Sequence, residues 1–179
     1  SSNDDKAFPT RGMYFALKSG ITSNLDKTAK TFGYVMPSLQ FFNALTNNRK
    51  LVLRTKGQGH FNIGNSNSYE FYQAANIGAN NGLRGFRDQR FTGQSAVVFN
   101  ADLRYSLLKL KTGLLPIKLG VFGGFDFGRV WYTVESSNTW HSDFGGGVLF
   151  SAVDTITGQL SLFSSDEGTR VSFGFGLNI

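Results

Sequence analysis

The sequence predicts an all-β protein, an antiparallel transmembrane β-barrel of about eight strands in an up-and-down meander. Three observations carry that prediction. Eight separate segments read as strands, and apolar and polar residues alternate along most of them. One polar face carries Lys50, Arg54, Lys56 and His60, which could not line a dry core. No stretch is long and apolar enough for a spanning helix, which needs roughly 20 such residues, whereas a barrel strand needs about 9–11.

Taken in order, the first strand is expected over 11–22, where Met13, Phe15, Leu17 and Ile21 alternate with Gly12, Tyr14, Lys18 and Gly20. The segment 31–45 is rich in strand formers but its alternation is blurred. Pro37 there has no N–H to donate and points to a bulge or weak pairing. In 50–62, Leu51 and Leu53 oppose Arg54, Lys56, Gln58 and His60. In 94–108, Val97, Phe99, Ala101, Leu103, Tyr105 and Leu107 oppose a face that includes Asn100, Asp102 and Arg104. The long segment 115–132 sets Leu119, Val121, Phe125 and Phe127 against Lys118, Gly120, Gly124, Asp126 and Gly128. In 140–152, Phe144, Val148 and Phe150 alternate with His141, Asp143, Gly145, Gly147 and Ser151. In 156–164, Leu160 and Leu162 alternate with Gln159, Ser161 and Phe163. The last segment, 169–179, is the clearest. Val171, Phe173, Phe175, Leu177 and Ile179 share one face, and Arg170, Ser172, Gly174, Gly176 and Asn178 the other.

A greasy outside and a polar inside reverse the pattern of a soluble sandwich. The connections alternate too. Those near 46–49, 109–114 and 153–155 are short, and those near 23–30, 63–93, 133–139 and 165–168 are mostly longer. Outer-membrane barrels have short periplasmic turns and long external loops. The expected organisation is a periplasmic N-terminal lead-in over 1–10 and an outer-membrane barrel domain over 11–179. The long external loop is 63–93, and both termini are periplasmic. Tyr105, Trp131, Tyr132 and Trp140, at strand ends, read as interfacial belt residues.

Composition agrees. Among 179 residues, the 18 Phe and 22 Gly make up more than a fifth, which suits strands showing rings to lipid and small residues to a crowded interior. Absent cysteine excludes a disulfide framework and a thiolate zinc site. The net charge of +6 is diffuse. Its clusters, Lys27/Lys30, Arg49/Lys50/Arg54/Lys56 and Lys109/Lys111, lie in or beside turns, so outer-membrane lipid is the expected partner and nucleic acid is not. The polar start Ser1-Ser2-Asn3-Asp4-Asp5-Lys6 fits a processed terminus or a cut within a longer chain.

Catalysis is not expected. His141-Ser142-Asp143 is the one tempting cluster, but neighbours in a strand point to opposite faces, leaving His141 and Asp143 without the nucleophile. His60 reads as a lumenal hydrogen-bonding residue. Gly57-Gln58-Gly59 and Gly145-Gly146-Gly147 lie within strands and cradle no phosphate, so no cofactor or metal is called for.

Three motifs carry a resemblance. The long loop holds Leu83-Arg84-Gly85-Phe86; two strands later come Phe125, Asp126 and Gly128; the final strand carries Ser172, Gly174, Leu177 and Ile179. Together, in this order, they resemble the superfamily of BamA, the translocation assembly factor TamA and the two-partner-secretion transporters (the bacterial surface antigen family). The match is to the last eight strands of its barrel, as an eight-stranded truncated form. The resemblance implies a loop motif at Leu83 to Phe86, a lumen partner at Phe125, Asp126 and Gly128, and a C-terminal sorting signal at Ser172, Gly174, Leu177 and Ile179. It also implies an outer-membrane assembly or secretion role and contact with the assembly machinery during biogenesis. Arg84 and Asp126 could bond bidentately; the alternative is a solvated Arg84 with Asp126 paired to a neighbouring strand. Three departures stand out: no periplasmic polypeptide-transport-associated repeats, no first barrel half, and Ile179 where Phe or Trp is usual.

A small eight-stranded barrel is filled by its own side chains, would exclude an infolded loop and would keep no open protein-conducting pore. The inward glycines favour such self-closure; a homodimer or half of a larger pore is the alternative, and a lipid-modifying enzyme a more distant one.

Overall fold

A computed structural model describes residues 2, 4, 8–23, 31–64, 71–111, 116–132, 139–152 and 156–177. Eight long strands form one antiparallel sheet: β1 (Gly12–Ser23), β2 (Thr31–Ala44), β3 (Leu51–Ile63), β6 (Ser95–Lys111), β7 (Pro116–Trp131), β8 (His141–Ala152), β9 (Ile156–Ser165) and β10 (Gly168–Leu177). Within the long loop two short strands, β4 (Ala75–Ile77) and β5 (Phe91–Gly93), pair with each other. The wall runs in chain order, every neighbour joined by a meander connection.

The period-2 pattern sets which residues face out. Phe15, Leu17, Phe99, Leu103, Phe125, Phe144, Phe173 and Phe175 are exposed apolar side chains on one continuous surface, far more than a soluble protein leaves to water. Their outward parity leaves Arg54, Asp102, Asp126 and Asp143 on the inner face. At the rim of the long-loop end, Trp131 and Trp140 meet edge to face at 6.4 Å.

Two local irregularities have physical causes. The β2–β3 ladder breaks at Met36 and Pro37 and resumes at Ser38↔Gln58 without a change of register, so the missing proline N–H weakens pairing but makes no bulge. The bulge lies instead in β6, between Ser106 and Leu108. It leaves Leu107 and Leu108 both exposed and carries the strand on to Lys111, beyond the expected end near 108. The connection at 165–168 is a tight turn rather than a long loop, with Gly168 at φ 127°, a left-handed conformation a side chain resists. The connections 24–30, 112–115, 133–138 and 153–155 lie outside the described residues.

Self-closure is not what the sheet adopts. Among the described residues β1 and β10 share no ladder, and each ends the sheet with an unpaired edge. A Cβ at Gly120, Gly124, Gly128, Gly145 or Gly147 would come within 3.0 Å of a neighbour, so those positions are tight without closure, whereas one at Gly174 would meet nothing within 4 Å. Because the wall is open, it has room for the long loop to fold inward. Ala75, Ile77, Leu83 and Phe86 of that loop pack on Ala96, Val98 and Val130 of the wall in a buried apolar cluster. That cluster explains why β6 carries apolar residues on an otherwise polar face.

Candidate functional site

The inner wall converges on Arg84. The Arg84 side chain donates from Nε to Asp126 Oδ2 at 2.7 Å and from Nη2 to Asp126 Oδ1 at 2.6 Å, a bidentate fork. The same Nη2 lies 2.6 Å from Asp102 Oδ1. Its backbone N–H also points at Asp126 Oδ2, at 3.3 Å. Asp102 and Asp126 are almost wholly buried, so their charges depend on these donors. The guanidinium carbon lies over the Phe163 ring, 4.0 Å from its centroid.

Sheet register builds this slot. Arg54, Asp102, Gly124, Gly145 and Phe163 are successive partners across β3, β6, β7, β8 and β9. Gly124 opens the space between the Asp102 carboxylate and the Phe163 ring. A Cβ there would come within 2.5 Å of Asp102 Oδ1 and 2.7 Å of Arg84 Nη2. One row away, Asn100, Asp126 and Asp143 are also register partners. Asn100 Nδ2 donates to Asp126 Oδ1 at 2.7 Å and to the Gly82 carbonyl at 2.6 Å, so it supports the carboxylate and the loop backbone together.

Further contacts pin the loop at both ends. Gln58 donates to the Asn81 carbonyl at 3.0 Å, and Asn62 to the Gln73 carbonyl at 3.0 Å. Ser165 Oγ donates to the Gly85 carbonyl at 3.1 Å, and Arg90 pairs with Glu167 at 2.6 Å. Gly85 passes so close to β8 that a Cβ would lie 2.7 Å from the Asp143 Cβ. Phe86 is buried, 5.1 Å from Phe91, whose ring stacks on His141 at 3.5 Å.

The motif residues therefore take different places. Leu83 and Phe86 are core, Arg84 makes the ionic contacts, and Gly85 allows the close approach. Asp126 faces the lumen under Arg84. Gly128 faces inward too, but against Val98 and Ile77 rather than Arg84. Phe125 is no lumen residue. Being next to Asp126 in the strand, it points outward and is 47% exposed. Ser172 and Gly174 are on the inner face of β10. The Leu177 side chain and Ile179 lie outside the described residues. Ser142 faces away from His141 and Asp143, and His60 bonds Asn62 at 3.1 Å. Asp102, Asn100, Gly124, Phe163 and Arg54 belong to the site with no motif to announce them. Their common signal was inward parity, which says which face a residue takes and not whom it meets.

The sequence model of the Omp85 superfamily domain matches residues 1–179, the whole chain. No curated protein matches it.

Proposed function

This chain belongs to the Omp85 superfamily, whose members are outer-membrane β-barrel proteins of assembly or secretion type, and on that premise we propose that it serves as the C-terminal wall of a BamA-like assembly or secretion factor. The reading rests on one observation above others: the fork of Arg84 on Asp126, with Asp102 as second acceptor, holds a long loop against the inner wall. A loop held by buried ion pairs keeps one position, and here it occupies the interior, so the chain by itself keeps no open protein-conducting pore. Leu83, Arg84, Gly85 and Phe86 act as the loop lock, Asp126 as its lumen anchor, and Ser172 and Gly174 with the residues after them as the sorting strand. The termini face the periplasm, where the assembly machinery meets the chain during biogenesis.

The test is a folding assay in liposomes. Vesicles carrying the protein should speed insertion of an unfolded outer-membrane barrel relative to empty vesicles, and Arg84→Ala should lose that gain. Equal rates with and without the protein would remove the assembly reading.

The unpaired edges favour a second reading of the same wall, as half of a larger or dimeric pore. Backbone groups left unsatisfied in lipid cost several kcal/mol each, so β1 and β10 need partners.

A further inference from the structure

Below the docked loop the inner wall borders a cavity of about 610 Å³, lined by three arginines, Arg54, Arg84 and Arg104, and by no acidic residue. Two of the three are neutralised from behind. Arg84 is shared by Asp126 and Asp102, and Arg54 reaches Asp102 Oδ2 at 2.7 Å and Gln40 Oε1 at 2.9 Å. Arg104 comes last. Among the described residues its one ion contact is 3.5 Å long, to the Asp102 oxygen that Arg54 already holds. Lys56, on the same face of β3, and Asp143, under Gly85, line no part of this cavity. Positive charge thus exceeds the negative charge in contact with it, in a cavity open on one side to solvent.

We propose that this cavity binds a small oxyanion, a phosphate or a carboxylate, against Arg104. A guanidinium is a planar fork matched to such groups, and a partly neutralised one retains donors for a ligand. The facing wall offers Ser161 and Ser172, hydroxyl donors suited to the remaining oxygens. The volume suits a head group or a free anion and is far too small for a folded chain.

The full chain folded in non-ionic detergent, titrated with inorganic phosphate, tests this. Its unfolding temperature should rise and saturate, beyond the effect of sodium chloride at equal ionic strength. Arg104→Gln should weaken the apparent affinity about tenfold or more. Gln40→Glu keeps the side chain's shape, places a carboxylate on Arg54, and should also weaken it. That variant carries the test if Arg104→Gln fails to fold. Mixed micelles with phosphatidylglycerol separate the sources: competition with phosphate assigns a lipid head group, and no competition assigns a free anion. A wild-type shift no larger than that of chloride, or one unchanged in the folded variants, overturns the site.

Discussion

Without its guanidinium, Arg84 would leave Asp126 buried with Asn100 as its remaining side-chain donor, and Asp102 dependent on Arg54 and a distant Arg104. Removing one partner of a buried ion pair costs about 3–5 kcal/mol, because the other charge is stranded. Arg84→Ala should therefore lower stability by roughly that amount. Combined with Asp126→Ala, the losses should fall short of additive by about 1 kcal/mol or more, as read in a denaturant double-mutant cycle. Strictly additive losses would mean the pair is uncoupled. Arg84→Lys should recover little, since an ammonium cannot fork across Asp126 and reach Asp102. The glycines offer a matched pair. Gly124→Ala pushes a methyl into the Arg84 slot and should cost about 1–3 kcal/mol and expose the loop to trypsin. Gly174→Ala meets nothing and should stay within about 0.5 kcal/mol.

At the scale of elements, the faces of β10 make opposite demands. Phe173 is 66% exposed on the outer face, and Ser172 lines the arginine-bearing cavity. Phe173→Asp should cost on the order of 2 kcal/mol and block assembly, since a lipid-facing charge near mid-membrane is unsolvated. Ser172→Asp places the same charge beside cations and should fold as well as the natural chain. Heat-modifiable gel migration reads both, and equal damage from the two would reverse the assigned faces. The long strands were legible because alternation is a local signal, visible in five or six residues. Inside the long loop it was not: β4 and β5 have 3 residues each, too few to alternate. Their pairing depends on the wall they pack against.

The whole molecule poses the question of its edges. In a meander of eight strands, β1 and β10 run in opposite directions. A two-fold axis along the wall would therefore set each β1 antiparallel to the β10 of a second copy, closing sixteen strands without unpaired backbone. On this dimeric reading the chain in detergent is expected at twice its 19.7 kDa by native mass spectrometry, with stable ion-conducting pores in planar bilayers. A non-conducting monomer whose β1 and β10 amides resist hydrogen exchange would show the two edges meeting each other instead.

By itself the sequence determined the eight long strands, their order and, away from the β6 bulge, the faces of their side chains, because period-2 alternation depends only on neighbouring residues. The loop motif and Asp126 could also be read in one dimension. Only the tertiary structure decided that Arg84 bridges two carboxylates, that Asp102 and Arg54 extend the cluster across β3 and β6, and that the guanidinium lies over Phe163. Only it decided, too, that the wall stays open around its loop. Partners across a lumen are set by register and curvature summed over many strands, and no local pattern of residues encodes that sum.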